Sequence, residues 1–301
     1  METIVVLGSN GMLGRAVASI RLSNRRILEI NRKDYPAYKQ NMHLKLKDSL
    51  HELENQINFK SVSHLINCAG MIRQKMVDES PATMKLAVNA NTLLPLQISA
   101  LSEKYGFNVI QIGTDCVYSG KQGSYLETDP HDPVDLYGKS KSLGEIPYPK
   151  LALIRCSIIG FELNSNYSLL NWVLSQKENA SVSGYTDQIW NGVTVHHFAK
   201  LVAGVVQSDE FDKLVGVHHF LPSNTLSKFE LIKNIASSFK RPDLRIQPTK
   251  SGINADMTLA TNSVETNDLM WKLAGYTTAP SIEEMVLEYS RYIQSGGNGH
   301  E

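Results

Sequence analysis

The sequence has no excess charge of either sign, because 30 lysines and arginines balance 30 aspartates and glutamates. A balanced chain gives no electrostatic reason to bind nucleic acid or an anionic membrane surface, so neither partner is expected. The sequence also has no apolar run near the about 20 residues that span a bilayer. Met1 leads directly into a short apolar run, without the basic flank and longer apolar core of a signal peptide. We therefore expect a cytoplasmic protein.

Cysteine is scarce, with three residues in a chain of 301, and no two of them have the spacing of a zinc or redox site. Their odd number and apolar surroundings predict buried, reduced thiols. The adjacent histidine pairs at 196–197 and 218–219 would face different directions on either a helix or a strand. We interpret these histidines as structural and expect no metal.

The first half of the sequence alternates short apolar runs with helical patterns. Strands are predicted at residues 3–7, 26–30, 63–67, 108–112 and 151–156, and helices at 12–22, 50–57, 81–105 and 137–145. This order predicts an α/β protein with a Rossmann-type, doubly wound parallel sheet. After about residue 160 the rhythm changes, and helices are predicted at 196–206, 228–239 and 282–293. We expect a cofactor-binding Rossmann domain at residues 1–160, to which some later segments return, and a smaller substrate-binding lobe, mainly residues 161–301.

A glycine-rich turn, GSNGMLG at residues 8–14, connects the first predicted strand to the first predicted helix. Its first gap is one residue longer than that of the dinucleotide fingerprint. Glycines let the backbone approach a pyrophosphate, and a helix N-terminus offers free N–H groups and a positive dipole end. A tight turn alone would also favour glycine, but the position at the first crossover favours nucleotide binding. The predicted cofactor contacts are Gly8, Asn10, Gly11, Met12, Leu13 and Gly14.

The residues after the second predicted strand bear on the choice of cofactor. An acidic residue there would bind the ribose of NAD, whereas an arginine would accept the 2′-phosphate of NADP. The sequence places Asn31 and Arg32 at this point, and the nearest acid is Asp34. We therefore predict NADP(H), with Asn31 and Arg32 as contacts, and NAD(H) remains possible. The alternative is that Arg32 and Lys33 only form a solvated turn.

A tyrosine and a lysine four residues apart suggest carbonyl reduction. The oxygen of a ketone must be protonated as hydride arrives, and a tyrosine with a pKa near 10 holds a proton to donate at neutral pH. Tyr137 and Lys141 would lie on one face of a helix, where the ammonium is expected to lower the phenol pKa. Thr114 follows another predicted strand and could hydrogen-bond the same carbonyl. Such a pair alone is common on helix surfaces, but with the glycine loop it indicates a catalytic site.

These segments together resemble the extended short-chain dehydrogenase/reductase superfamily, and within it the dTDP-4-dehydrorhamnose reductase family. The motifs that carry the resemblance are GSNGMLG at 8–14, NCAG at 67–70, VNANTL at 88–93, GTDCVYSG at 113–120, ETDPHDPVDLYGKSKSLGE at 127–145 and LIRCSIIG at 153–160. The likeness covers nearly the whole chain and weakens after about residue 160. It implies that Tyr137 is the proton donor, with Lys141 and Thr114 as partners.

The resemblance implies further contacts around the reaction centre. The cofactor would be lined by Cys68, Ala69 and Gly70, and the nucleotide-sugar substrate would lie beside Met71, Thr114, Asp115, Cys116, Val117 and Trp190. Two departures from the family pattern put the identity of the sugar in doubt. Cys116 stands where relatives usually have tyrosine, and Trp190 and Val193 are substitutions in the second lobe.

Three more polar residues have two interpretations each. Arg73 or Lys75 could contact a diphosphate, but an exposed basic loop is an equal alternative. Asn89 is expected to brace the sheet rather than to touch the substrate.

The resemblance implies NADPH-dependent reduction of the C4 ketone of a nucleotide-linked 4-keto-6-deoxy sugar, and a homodimer is possible. One alternative is a non-catalytic, NADP-binding subunit similar to the β subunit of methionine adenosyltransferase. The chain starts directly at its first predicted strand, without an extension like that subunit's, which favours an enzyme. A second alternative is a nucleotide-sugar epimerase, which would retain its cofactor and return the hydride.

Overall fold

The computed structural model describes residues 1–31, 42–45, 50–78, 80–163, 166–253 and 255–297. Its centre is a seven-stranded sheet with the order β11-β6-β5-β4-β1-β2-β3, in which all neighbours are parallel. The strands are β1 (Glu2–Leu7), β2 (Arg25–Asn31), β3 (Met42–Lys45), β4 (Val62–Asn67), β5 (Asn108–Ile112), β6 (Leu151–Arg155) and β11 (Gly216–His219). The strand order reverses between β1 and β4, which opens a crevice at their carboxyl ends.

The predicted α/β class and doubly wound sheet are confirmed. None of the five predicted strands differs from the observed one by more than one residue at either end. Each is a run of apolar residues buried on both faces of the sheet. Along β1, Ile4 and Val6 join the core on one face, while Val5 and Leu7 join the core on the other.

Helices pack against this sheet and, in the later part of the chain, against one another and against shorter strands. They are α1 (Met12–Ala18), α2 (Pro81–Val88), α3 (Leu94–Tyr105), α4 (Leu136–Leu143), α5 (Leu169–Leu174), α6 (Val195–Gln207), α7 (Lys228–Ser238), α8 (Val264–Leu273) and α9 (Ile282–Gln294). Among the described residues, no helix has the length and apolar character needed to cross a bilayer.

Three predicted helices differ from the observed elements. The first ends at Ala18, because the hydroxyl of Ser19 donates to the Ala16 carbonyl at 2.8 Å and the chain turns. Residues 50–57 contain a 3₁₀ turn instead, Leu50–Asn55, whose period of three suits the buried pair Leu50 and Leu53. The long helix predicted at residues 81–105 is interrupted by a π-type turn, Asn89–Leu93, between α2 and α3.

The later part of the chain contains the shorter strands, and its division into a separate lobe stays a prediction. Its described strands make three small sheets from β7 (Ile158–Ile159), β8 (Ser181–Tyr185), β9 (Gln188–Trp190), β10 (Val193–Thr194), β12 (Leu226–Ser227), β13 (Arg245–Thr249) and β14 (Ala255–Asp256). Two late segments return to the first half, because β11 pairs with β6 and α6 packs against α1. The function of each part stays a prediction.

Candidate functional site

The glycine turn lies at the reversal point of the sheet, directly after β1. Gly8 has a φ of +76°, and a Cβ there would lie 2.8 Å from the Cα of Ala69. A Cβ on Gly14 would lie 2.1 Å from the Gly8 carbonyl oxygen. Both positions therefore require glycine for packing alone, whereas Gly11 is exposed. The backbone at Gly11 is thus open to a ligand lying across the turn.

Asn31, at the end of β2, braces this turn from behind. It is buried, its amide nitrogen donates to the Ser9 hydroxyl at 2.8 Å, and its amide oxygen accepts from the Asn10 N–H at 3.0 Å. The Asn31 side chain is thereby committed to the loop. The predicted contact at Arg32 lies outside the described residues.

A second set of polar groups follows β5. Thr114 is buried, its hydroxyl donates to Asp115 Oδ1 at 3.1 Å, and it accepts from the N–H of Cys116 at 3.2 Å. The Cys116 thiol also lies 3.5 Å from Asp115 Oδ1. These bonds fix a short 3₁₀ turn, Asp115–Val117, at the carboxyl edge of the sheet.

The tyrosine and lysine lie on α4, which begins beside that turn. The side chain of Asp135 caps α4 by accepting from the Gly138 N–H at 2.8 Å. Gly138 permits close contact, because a Cβ there would lie 2.1 Å from the Cys116 carbonyl oxygen. This contact brings Tyr137 next to Thr114, and Lys141 Nζ donates to the Ile112 carbonyl at 2.8 Å. The structure thus brings together the three residues predicted to be catalytic.

Burial dominates the titration of both residues on α4. It raises the pKa of the Tyr137 phenol above its ordinary value, and the Thr114 hydroxyl and the Arg73 charge only partly oppose this rise. It lowers the pKa of Lys141, which negative charge at Glu145 opposes. The net shift of the Tyr137 pKa is therefore upward, and the expected lowering by the Lys141 ammonium stays a prediction. The phenol keeps its proton at neutral pH.

The segment after β4 forms the other wall of the crevice. The Cys68 N–H donates to the Leu7 carbonyl at 3.1 Å, which holds the predicted cofactor segment Cys68, Ala69 and Gly70 against the glycine turn. Beyond it, the side chain of buried Asn91 accepts from the Met71 N–H at 2.8 Å and donates to the Met71 carbonyl at 3.0 Å. Asn91 also donates to the hydroxyl of Ser140 on α4 at 3.0 Å.

Asn91 is a residue that the sequence analysis missed. The side chain of Asn91 joins the segment after β4 to α4 through Met71 and Ser140, while the expected bracing role of Asn89 stays a prediction. The π-type turn explains this placement of Asn91, because its extra residue per turn changes which side chain faces the crevice.

A family model described as the RmlD substrate binding domain matches residues 1–289. This chain belongs to the RmlD substrate binding domain family. Among curated RmlD-like relatives, dTDP-4-dehydrorhamnose reductase of Aggregatibacter actinomycetemcomitans is 24% identical over 76% of this chain and 76% of its own. Methionine adenosyltransferase 2 subunit beta of Rattus norvegicus is 25% identical over 81% of this chain and 74% of its own.

Solved structures confirm the fold of this RmlD family member. The dTDP-4-dehydrorhamnose reductase of Clostridium acetobutylicum has a TM-score of 0.73 at 20% identity and covers 97% of this chain and 99% of its own. The Bacillus anthracis reductase, solved in complex with NADP, has a TM-score of 0.74 at 19% identity and covers 98% of this chain and 100% of its own. The resemblance to this reductase family, predicted from the motifs, is thereby confirmed.

Two predicted substrate contacts in this RmlD chain are buried by packing. Val117 is fully buried in a small apolar cluster with Tyr118 and Tyr125, so its side chain does not face the crevice. Trp190 is 4% exposed, and its indole N–H donates to the Ser157 hydroxyl at 2.8 Å. Asp115 is 9% exposed, and Met71 and Cys116 are partly buried.

Arg73, which could contact a diphosphate or simply be exposed, is half-exposed and forms an ion pair with Asp135, the cap of α4. The described residues contain no group of three or more His, Cys, Asp or Glu side chains that could hold a metal ion.

Proposed function

We propose that this RmlD-family protein is an NADPH-dependent reductase of the C4 ketone of a nucleotide-linked 4-keto-6-deoxy sugar. The observation that carries the proposal is the convergence of Thr114, Tyr137 and Lys141 at the carboxyl ends of the strands, beside the glycine turn. Ligands of open α/β sheets bind at this edge. The reductase relatives support the same reaction class.

The residues around the turn fit a dinucleotide. The exposed backbone at Gly11 and the close approach of Ala69 to Gly8 support a pyrophosphate lying across the turn. When bound, the cofactor supplies the hydride. NADP is favoured by the NADP complex of the Bacillus anthracis relative and by Arg32 in the sequence, while NAD remains possible because other neighbours were solved with NAD.

The roles of the three catalytic residues follow from their surroundings. Tyr137 keeps its proton until the substrate oxygen gains negative charge, because burial raises the pKa of the phenol. Protonating that oxygen in the transition state is its proposed task. Thr114 donates a second hydrogen bond to the same oxygen, and this requires its hydroxyl to leave Asp115. Lys141, held by the Ile112 carbonyl, supplies positive charge beneath the phenol and reaches the ribose of the cofactor.

The sugar is proposed to lie between Met71, Asp115 and Cys116. Cys116 is a poor proton donor or nucleophile here, because burial and the neighbouring Asp115 raise the pKa of its thiol. It therefore acts as a small wall of the pocket in place of the usual aromatic ring. Trp190 shapes the pocket indirectly, through Ser157.

The test is NADPH oxidation by the purified protein with a panel of dTDP-, UDP- and GDP-linked 4-keto-6-deoxy sugars. Tyr137→Phe is the control variant, since it removes the hydroxyl and little volume. We expect turnover with at least one sugar and a loss of at least about a hundredfold in the variant. Unchanged turnover in Tyr137→Phe would refute the mechanism.

A second candidate function is that of a non-catalytic regulatory subunit. The supporting observation is the likeness to methionine adenosyltransferase 2 subunit beta, which is as strong as the likeness to the curated reductase. NADPH binding without oxidation by any panel sugar would favour this candidate. An epimerase would instead retain its cofactor through purification and consume none.

We also propose that the protein acts in the cytoplasm as a homodimer. Large apolar side chains are exposed on α2, on the π-type turn and α3 that follow it, and on the neighbouring α4, namely Met84, Leu86, Leu93, Leu96 and Leu143. A second copy that covers this face would remove it from water. Light scattering of the purified chain tests the assembly, and a monomeric mass at micromolar concentration would contradict it.

A further inference from the structure

The buried side chain of Asn91 joins the segment after β4, here called the wall segment (residues 68–71), to the helix that carries Tyr137. Its amide oxygen accepts from the Met71 N–H at 2.8 Å, and its amide nitrogen donates to the Met71 carbonyl at 3.0 Å. The same nitrogen donates to the Ser140 hydroxyl at 3.0 Å. An amide nitrogen has two hydrogens, so these two bonds use its full donor capacity.

Ser140 lies between Tyr137 and Lys141 on α4, in the turn of helix that bears the proposed proton donor. It is 2% exposed, and its hydroxyl donates to the Tyr137 carbonyl at 2.9 Å. Its own carbonyl accepts from the hydroxyl of Thr92, the neighbour of Asn91, at 2.8 Å. The π-type turn therefore holds this turn of α4 through two consecutive side chains.

A second buried amide joins the same two segments at the far end of α4. Gln111 on β5 donates to the Gly144 carbonyl at 3.1 Å and accepts from the Asn67 amide at 3.4 Å. Asn67 in turn accepts from the Ala69 N–H at 3.2 Å. A Cβ on Gly144 would lie 1.9 Å from the Asn91 carbonyl oxygen, so the end of α4 packs directly on the π-type turn. The wall segment and α4 are thus connected at two points.

The two connections hold different parts of the wall segment. The part predicted to line the cofactor is fixed independently of Asn91, because the Cys68 N–H donates to the Leu7 carbonyl and Ala69 bonds to Asn67. Among the described residues, the backbone groups of Met71 bond to Asn91 alone. Loss of the Asn91 side chain would therefore release Met71 and leave the cofactor part in place.

We propose that Asn91 is a positioning residue that sets the distance between the substrate side of the wall segment and the proton donor on α4. This inference rests on the proposed function. Hydride and proton must reach the carbon and the oxygen of one ketone together, so a sugar held against Met71 must keep a fixed position relative to Tyr137. One rigid amide holds both sides. Its loss is therefore expected to lower kcat rather than cofactor affinity.

The test compares two asparagines that make the same pair of backbone bonds. Asn267 on α8 is buried, accepts from the Leu221 N–H at 3.0 Å and donates to the Leu221 carbonyl at 3.2 Å. Asn91→Leu and Asn267→Leu each remove such a pair with little change in volume, so both should lower the urea midpoint. Turnover of the panel sugars, NADPH affinity and amide hydrogen exchange are then measured for both variants.

We expect Asn91→Leu to lower kcat about ten- to a hundredfold and to keep the Kd for NADPH within about twofold, whereas Asn267→Leu should retain kcat. Ser140→Ala cuts the connection at its helix end and should also lower kcat. Adding it to Asn91→Leu should cause little further loss, because both changes act through one bond. An unchanged kcat in Asn91→Leu, equal losses in the two asparagine variants, or additive losses in the double variant would each overturn the inference.

Hydrogen exchange separates this inference from the reductase proposal, because it needs no substrate. Asn91→Leu should speed amide exchange both in residues 71–76 and in α4, whereas Asn267→Leu should leave the two segments unchanged. Faster exchange on one side only would overturn the coupling. Failure of the reductase proposal is a separate result, seen as a wild-type protein that binds NADPH and oxidises none of it with any panel sugar.

Discussion

Arg155, at the end of β6, holds together a buried polar network beneath α4, and its removal should be costly. Its Nε and Nη2 donate to the same oxygen of Glu145 at 3.0 and 2.7 Å, and both side chains are almost fully buried, at 4% and 3% exposure. Nη1 donates to the Tyr118 hydroxyl at 2.7 Å, and Nη2 lies 2.8 Å from His131 Nε2.

Replacing Arg155 by methionine keeps most of the apolar stem and leaves the Glu145 carboxylate buried without its cation. Loss of one partner of a buried ion pair costs about 3–5 kcal/mol of unfolding free energy. The double variant Arg155→Met/Glu145→Leu removes the stranded charge as well, so it should be more stable than Arg155→Met alone.

Urea unfolding followed by circular dichroism measures this difference, and the midpoint of Arg155→Met should fall by about 1 M or more. The control is Lys213→Met, which breaks the exposed pair with Glu210 and should cost at most about 1 kcal/mol. A loss below about 1 kcal/mol in Arg155→Met would refute the reasoning. So would a double variant less stable than the single one.

Two further predictions concern pH and backbone packing. Burial, aided by the charge of Arg25, lowers the pKa of His64 to about 4, so the unfolded chain binds a proton that the folded chain refuses between about pH 6.5 and pH 4. Stability should therefore fall as the pH drops through that window, and a His64→Gln variant should show a shallower fall in urea midpoints; parallel curves would contradict this. Gly138→Ala should abolish turnover, because the added Cβ would lie 2.1 Å from a backbone oxygen. Gly106→Ala should cost about 1 kcal/mol of stability, because the φ of Gly106 is +81°, but it should leave turnover intact, because no atom lies near the added Cβ. Equal turnover by the two glycine variants would contradict this prediction, because it would show that α4 can shift to make room for the added Cβ at residue 138.

The sequence predicts the part of the fold that is built from uniform patterns. Five strands of the first half contain apolar runs that give their bounds to within one residue, whereas β3 (MHLK) has no such run and is not predicted. β11 has the sequence GVHH, which contains no apolar run and does not predict a strand. Its residue His219 is nevertheless buried, because it makes polar contacts that exist only in the folded chain. The π-type turn at Asn89–Leu93 is not predicted either, because the helical pattern of the sequence continues through it.

The candidate site follows the same division. Thr114, Tyr137 and Lys141 can be recognised in the sequence. Carbonyl reduction requires a hydroxyl near the end of a strand and a tyrosine and a lysine on one face of a helix, and these residues occur at such positions. Asn91 carries no local pattern, since its bonds to Met71 and Ser140 join segments that are far apart in the sequence. Residues that act through tertiary contacts are therefore the ones that a single sequence does not reveal.

The place of β11 in the main sheet has a consequence for how the chain is made. β11 covers one edge of β6, yet it lies about sixty residues further along the chain. During synthesis, the edge of β6 stays unpaired until residues 216–219 have left the ribosome and can pair with it. Until then it is a template for pairing with another chain, so truncated products that end near residue 160 should aggregate.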